Sequence, residues 1–522
     1  MSGYASAQSD KKLTWREWTG FMSMVLGMFM AVLDIQIVSS SIAEIQAGLS
    51  ASADEVSWVQ TSYLIAEIVM IPLSGWLSRL LSTRVLFTIS AIGFTLSSFA
   101  CALSNDLATM VVFRAIQGFI GGAMIPTVFA TSFMLFPGAK RASISVLIGL
   151  TATLAPTVGP TLGGWLTQVL NWHWLFLINV PVGAIVAFNV WTFLDVDKPN
   201  YALAKSFDGF GLFLMAAFLG SLEYVLEEGN RNDWFSDPLV RNLGVVSAVA
   251  GVMFFYRMLT RIEPLVDLKA FLNTNFAFGC TFSFIMGIGL YGSVYAIPLF
   301  LGRVRGYDSL QIGETMFVTG LTMFICAPIA GRLSRVVDMR RMLAVGLFMF
   351  GVAVIWMGRL TNQSAFWELL GPQSLRGGAM MFIMLPVNNL ALGTLPPHQL
   401  KNASGLYNLM RNLGGAIGLA AINTVVTARA AMHIQHLDEQ VTWSRPNVGS
   451  TMQMMGHAFE PGMGSQANLA ALKTISQMVQ REALTLTYND VFLMMSMSFF
   501  LAIPLTLLLK KPRPAKGPSE AH

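Results

Sequence analysis

Fourteen stretches of predominantly apolar residues, each about 20 residues long, run through this chain, and nothing else in it constrains the fold so tightly. They cover approximately 18–39, 57–78, 85–104, 108–131, 143–169, 174–194, 209–227 and 239–259, then 276–301, 311–332, 342–360, 366–394, 403–427 and 489–509. At a rise of about 1.5 Å per residue such a run matches the ~30 Å hydrocarbon core of a bilayer. A water-soluble domain could not hide fourteen of them: only 12% of the residues are charged, against about 25% in soluble chains. The expected fold class is an all-α integral membrane protein with 14 transmembrane helices. The first run follows Lys11, Lys12 and Arg16 without a small-residue cleavage site, so it reads as the first span and not as a cleaved leader. The net charge of +5 points to loop placement of Lys and Arg, not to a nucleic-acid partner. Cys101, Cys280 and Cys326 lie in apolar runs without ligand spacing, which favours free thiols over a metal site.

Orientation follows from the loops. With the N-terminus inside, Lys11, Lys12, Arg16, Arg79, Arg84, Lys140, Arg141, Lys401, Lys510, Lys511, Arg513 and Lys516 are among the inside cations, which outnumber the outside ones roughly two to one. Both termini are therefore expected in the cytoplasm. An internal repeat then divides the chain. Pro72-Leu-Ser-Gly75-Trp-Leu77-Ser78-Arg79 recurs as Pro328-Ile-Ala-Gly331-Arg-Leu333-Ser334-Arg335, and the Gln117, Gly121-Gly122 pattern recurs as Gln373, Gly377-Gly378, both displaced by 256 residues. Two matches at one offset relate the second run to the tenth and the fourth to the twelfth. The seventh and eighth runs fall between the repeats as an inserted pair. The expected layout is a cytoplasmic segment 1–17, a six-helix bundle 18–194, the inserted pair 195–262, a second bundle 263–510 with an outer loop at about 428–488, and a cytoplasmic tail 511–522.

The fifth run carries an unusual core, Gly149-Leu-Thr-Ala-Thr-Leu-Ala-Pro156-Thr-Val-Gly159-Pro160-Thr-Leu-Gly163-Gly164. Its prolines and glycines would break a helix in water but are tolerated in a bilayer, where neighbouring helices re-satisfy the backbone. A kinked packing helix would explain it. The run also resembles the fifth-helix antiporter signature of major facilitator exporters, with Ala155 where that pattern usually has a further glycine. Other stretches extend the likeness over nearly the whole chain: Leu33-Asp34-Ile-Gln-Ile37-Val38, Arg114-Ala-Ile-Gln117-Gly118, Asn171-Trp-His-Trp174 through Asn179-Val-Pro181, and Glu263-Pro264-Leu-Val266-Asp267. Together they resemble the fourteen-helix drug:proton antiporters of the EmrB/QacA type, most of all the EmrB branch. The loop after the second run departs from the wider superfamily, with Arg79 in place of an acid and Ser82 in place of a glycine. Two six-helix bundles with a site between them near the midplane is the fold that the resemblance implies.

Ionisable groups inside a span cost about 2.5–3.5 kcal/mol each on insertion scales, so each is a functional candidate. Asp34 and Arg114 sit at similar depth, roughly 8–10 Å from the outer boundary, and can meet. A carboxylate desolvated beside a cation suits proton coupling, although a static interhelical pair has the same composition. Glu67 lies near the middle of the second run, with Gln60 and Tyr63 placed towards its face, and is expected in the central cavity as a further proton- or cation-handling group. Gln36, Gln60, Tyr63, Gln117, Arg376, Asn388, Asn408 and Arg411 are the candidate substrate contacts. Arg376 and Arg411 could equally be structural cations held by backbone carbonyls. Conformational roles fall to Gly149, Pro156, Gly159, Pro160, Gly163 and Gly164, which would let the fifth helix move against the second half, and to Gly75, Arg79, Arg84, Gly331 and Arg335 of the repeated loops.

These residues and the resemblance imply an exporter of hydrophobic or amphipathic small molecules in the bacterial inner membrane. It would be driven by a proton gradient with no bound cofactor or metal, and would work with a periplasmic membrane-fusion adaptor and an outer-membrane channel. An exporter of one endogenous metabolite on the same fold is the nearest alternative, since fold does not fix substrate. A non-transporting membrane sensor is a more distant one. No catalytic constellation or nucleotide loop converges in the spans, so an enzyme is not expected.

Overall fold

A computed structural model describes residues 14–52, 55–136, 139–442 and 445–511. The expected terminal segments 1–17 and 511–522 therefore lie largely outside the described residues, together with Lys11, Lys12, Arg513 and Lys516. No β-strand occurs among the described residues. Fourteen long helices cross the fold: α1 Trp15–Ser40, α2 Trp58–Leu81, α3 Thr83–Ala102, α4 Leu107–Leu135, α5 Ala139–Val169, α6 Trp174–Phe193, α7 Gly209–Glu228, α8 Pro238–Thr260, α9 Thr274–Phe300, α10 Ser309–Leu333, α11 Met339–Met357, α12 Phe366–Ala391, α13 Leu400–Asp438 and α14 Ala467–Ala502.

Thirteen of these are apolar and long enough to cross a membrane by their own composition. The exception is α12, which carries Glu368, Gln373, Arg376, Asn388 and Asn389 and packs against α9, α10 and α11. Polar caps set many of the starts. Six helices (α4, α7, α8, α9, α10 and α11) begin after Asp106, Asp208, Asp237, Asn273, Asp308 and Asp338, whose side chains accept first-turn N–H groups. Such a cap satisfies donors that have no intrahelical partner.

The repeat seen in the sequence is a repeat of packing. In the first half α2 lies against α4, where a Cβ on Gly118 would meet the Tyr63 carbonyl at 2.3 Å. In the second half α10 lies against α12, where one on Gly377 would meet the Thr319 carbonyl at 2.5 Å. Tyr63 and Thr319 are separated by the repeat interval of 256 residues, whereas Gly118 and Gly377 are 259 apart, so the contact on α12 lies three residues further along its helix. The inserted helices α7 and α8 pair with each other, and α7 also packs on α2 and α13, one helix from each half.

Two features sharpen the sequence reading. The outer segment is helical: α13 runs on to Asp438, the helix Pro446–Met463 follows, and α14 starts at Ala467. With 39 and 36 residues, α13 and α14 exceed the ~30 Å core and project beyond it as a packed helical unit. The second concerns α5, which continues as helix through Pro156 and Pro160. Cβ atoms on Gly159 and Gly163 would meet Gln36 at 2.5 Å and Ser40 at 2.7 Å, both on α1 of the same half. These glycines therefore fasten α5 to α1. α5 also packs along α10 and α12 of the second half, where the Gly149 Cβ position lies 3.0 Å from Met384 Sδ and those of Gly313 and Gly320 meet Thr161 and Leu154. Gly164 is buried in the same helix.

Candidate functional site

The two halves meet unequally along the membrane normal. At the face where α1 begins (the chain-end face) they are sealed together. The Lys401 ammonium donates to the Ser78 carbonyl at 2.8 Å and to Asp197, which also accepts the Thr83 N–H at 2.9 Å. The Ser404 hydroxyl donates to the Pro126 carbonyl at 2.6 Å. Gly75 makes the approach possible, since a Cβ there would lie 2.8 Å from the Asn402 Cα. The repeat-related Gly331 has only an ordinary contact with Val146 at 3.7 Å, and Arg335 is exposed. In this state the two loop motifs are thus not equivalent. Arg84 lies 5.3 Å from the Trp191 ring, and the Arg79 carbonyl accepts the Asn200 N–H at 3.1 Å.

Ser82 occupies the position where the superfamily loop has glycine. Its φ of 81° and ψ of 156° fall in a region that L-residues avoid, and its hydroxyl caps α3 by accepting the Val85 N–H at 3.4 Å.

Towards the opposite face the halves part around a cleft of about 680 Å³ lined by α1, α2, α4, α7, α9 and α13. Gln36, Gln60 and Glu67 reach it, as the sequence suggested. Tyr63 does not. On an α-helix a residue at i+3 falls ~60° to one side and one at i+4 ~40° to the other, so the cleft sees Gln60, Leu64, Glu67 and Ile68 while Tyr63 turns into its own bundle. Two further acids line the cleft, Glu223 and Glu227 of α7. Sequence reasoning passed over them because the inserted pair lies outside the repeat. Their i, i+4 spacing inside an apolar run was the available signal.

Asp34 and Arg114 meet at 2.6 Å, both fully buried. Asp34 also accepts from Asn179 at 2.7 Å and Gln117 at 3.3 Å, and Asn179 donates on to Ser98 at 3.0 Å. Arg114 donates to Gln117 at 2.7 Å and to the Val59 carbonyl at 3.0 Å, and its guanidinium lies 4.2 Å from the Tyr63 ring. The network joins α1, α2, α3, α4 and α6 around one ion pair. Gln117 belongs to this network and not to the cleft wall, which removes it from the direct contacts.

In the second half Arg376 donates to the Thr319 hydroxyl at 2.8 Å, and Thr319 to Gln373 at 2.7 Å. Arg376 borders a separate cavity of about 250 Å³ and touches no part of the central cleft wall. Arg411 donates to Asn408 at 2.6 Å and lies 5.4 Å from the Phe129 ring across the boundary between halves. Side-chain oxygens, not the expected backbone carbonyls, hold both arginines. Asn388 accepts from the Tyr407 hydroxyl, and Asn408 donates to the Ser404 carbonyl at 2.8 Å. Both asparagines are buried within the second half and are not cleft residues.

A cleft between two related bundles, closed at one face, with a sealed ion pair beside it, is the architecture of a secondary transporter. Residues 24–419 match the Major Facilitator Superfamily. The chain is 44% identical over 494 residues to the colistin resistance protein EmrB of Acinetobacter baumannii, covering 95% of this chain and 96% of that protein. It is 32% identical over 498 residues to the multidrug export protein EmrB of Escherichia coli K12, with coverage of 95% and 96%. The human organic anion transporter MFSD10 shares the fold, with a TM-score of 0.55 at 15% identity over 92% of this chain and 99% of that one. The chain belongs to the major facilitator superfamily, among its EmrB-type transporters.

Proposed function

We propose that the protein exports hydrophobic and amphipathic small molecules across the bacterial inner membrane in exchange for protons. The name of the Escherichia coli relative, a multidrug export protein, supports export of more than one compound. The observation that carries the coupling is the Asp34–Arg114 pair, fully buried and tied to five helices. A proton on Asp34 would cancel the ion pair, release Arg114, and withdraw the acceptor that Asn179 and Gln117 share. The bundle would then favour a different packing, and the cleft could exchange faces. The energy source is the proton gradient, with no bound cofactor.

The chain-end face is the cytoplasmic one in this reading, because the Lys and Arg bias favours it. The cleft then faces the periplasm. There the projecting ends of α13 and α14 with the helix Pro446–Met463 offer exposed Met454, Leu469, Leu472 and Met478. They suit contact with a periplasmic adaptor and, through it, an outer-membrane channel. The test is reconstitution of the purified protein in vesicles. An imposed pH gradient should drive transport of several chemically unrelated amphipaths and move protons in the reverse direction. Transport of a single compound, or transport indifferent to the gradient, would remove the multidrug or the coupling part of the proposal.

A further inference from the structure

The inserted helix α7 is placed where a spacer would not need to be. It closes the side of the cleft between α2 and α13, and near its far end it ties the halves together. Thr61 of α2 donates to Glu228 at 3.1 Å, Arg231 donates to Ser57 at 3.0 Å, and Asn230 donates to Thr427 of α13 at 3.3 Å. On its inner face Glu223 and Glu227 share the cleft with Glu67. Glu223 is within electrostatic reach of both other acids. It is 95% buried, and its Oε2 has no hydrogen-bond partner.

A buried acceptor without a donor is costly, and three acids on one wall repel whenever they ionise together. Two cations reach Glu67 electrostatically: Arg411 of α13, which keeps Nε and Nη1 free of hydrogen bonds, and Arg114, which is already paired with Asp34. One guanidinium cannot neutralise three carboxylates. Next to the acids the wall is apolar, with Leu64, Ile68 and Leu419, and it includes the Tyr291 ring. Among the described residues no group of three His, Cys, Asp or Glu has metal-holding geometry. The complement of such a wall is a diffuse positive charge attached to an apolar body.

We propose that Glu223 and Glu227 of the inserted helix, with Glu67, form a subsite for the charged head of an amphipathic organic cation, whose apolar part lies along Leu64, Ile68 and Leu419. The inserted pair then serves as a selectivity wall added to a two-bundle carrier. This rests on the export reading for its biological use, but binding can be measured without it. A lipophilic cation gains Coulomb energy there that a neutral compound of the same size lacks.

The experiment measures equilibrium binding of radiolabelled tetraphenylphosphonium to the full-length protein in detergent. In parallel, vesicles compare transport of tetraphenylphosphonium with that of the neutral dye Nile red. Glu223→Gln and Glu227→Gln should each weaken tetraphenylphosphonium binding at least fivefold, and the double variant more than tenfold. The cation-to-neutral transport ratio should fall in step. Glu227→Asp, which keeps the charge, should stay closer to wild type and guards against a purely structural effect. Unchanged cation binding in the double variant, or equal loss for both probes, overturns the subsite. Wild-type protein that binds tetraphenylphosphonium but transports neither probe overturns the export reading and leaves the subsite standing.

Discussion

Lys401 and Ser78, 323 positions apart in sequence, are joined across the boundary between the halves by an ammonium-to-carbonyl hydrogen bond of 2.8 Å. Asp197 holds the same ammonium, and the Thr83 N–H holds Asp197. The contact closes the chain-end face with groups that are charged in one half and mostly backbone in the other. Hydrogen bonds to charged groups contribute about 1.5–3 kcal/mol, enough to shift a two-state equilibrium roughly tenfold or more.

Lys401→Gln should therefore open that face. A cysteine at Ser404, which is buried against Pro126, is expected to react with a maleimide several times faster when Lys401→Gln is also present. Cys101, Cys280 and Cys326 would first be replaced by alanine. Identical labelling rates would assign the seal to the apolar contacts around Gly75.

Asp34→Asn keeps the shape of the side chain and removes the charge opposite Arg114. Breaking a buried pair on one side costs about 3–5 kcal/mol, so lower thermal stability is expected together with loss of gradient-driven accumulation. Downhill exchange of substrate, which needs no proton, should persist. Accumulation at the wild-type rate across several pH gradients would sink the coupling role.

Gly159→Val places branched carbon into a gap where even a Cβ would lie 2.5 Å from Gln36. The expected loss is one of assembly: poor folding and a lowered melting temperature, from overpacking of at least 1–3 kcal/mol. Gly149→Ala, facing the flexible Met384 side chain at 3.0 Å, should fold normally and change transport rate instead. Normal folding of Gly159→Val would show that α1 and α5 separate easily.

Ser82 offers a gain of stability. Its backbone conformation costs on the order of 1–3 kcal/mol for a residue with a Cβ, whereas the hydroxyl cap lost with glycine is worth only a few tenths. Ser82→Gly should raise the melting temperature measured in detergent. A decrease would mean that the hydroxyl does more than cap α3.

Asp208, which caps α7 from outside the membrane span, has a carboxyl held below its ordinary value. Burial alone would raise it, but hydrogen bonds from Arg257 and the Gly211 N–H, with the charges of Arg261 and Arg257, outweigh that. A depressed folded value means stability that is present above the unfolded value of about 4 and lost as pH falls through the folded value. The junction of α7 with α8 should thus be insensitive to pH between 5 and 8. Asp208→Asn, which can still cap, should destabilise it at neutral pH and converge with wild type in strong acid. Hydrogen exchange at the start of α7 reads both.

Much of this was legible in the sequence, for reasons that differ by residue. Spans follow from composition, because the bilayer demands long apolar helices whatever they touch, and the repeat follows from two motifs recurring at one offset. Asp34 and Arg114 could be paired from depth alone. Tyr63 and Gln117 could not be placed, since a side chain's neighbour depends on rotation by a few tens of degrees. Gly159 and Gly163 announced a close approach without naming the partner helix, and α1 was as available as the second half.

The polarity of α12 has a consequence for how the protein is made. A segment carrying Glu368, Gln373, Arg376, Asn388 and Asn389 gains little by partitioning into lipid alone, because charged residues disfavour release from the translocon. Its partners are α10 and α11, synthesised just before it, and α9. They supply the Thr319 hydroxyl for Arg376 and a neighbouring surface in place of lipid. Insertion of α12 therefore depends on helices already waiting at the exit site, and the second bundle enters the membrane as a cooperative group, not one helix at a time.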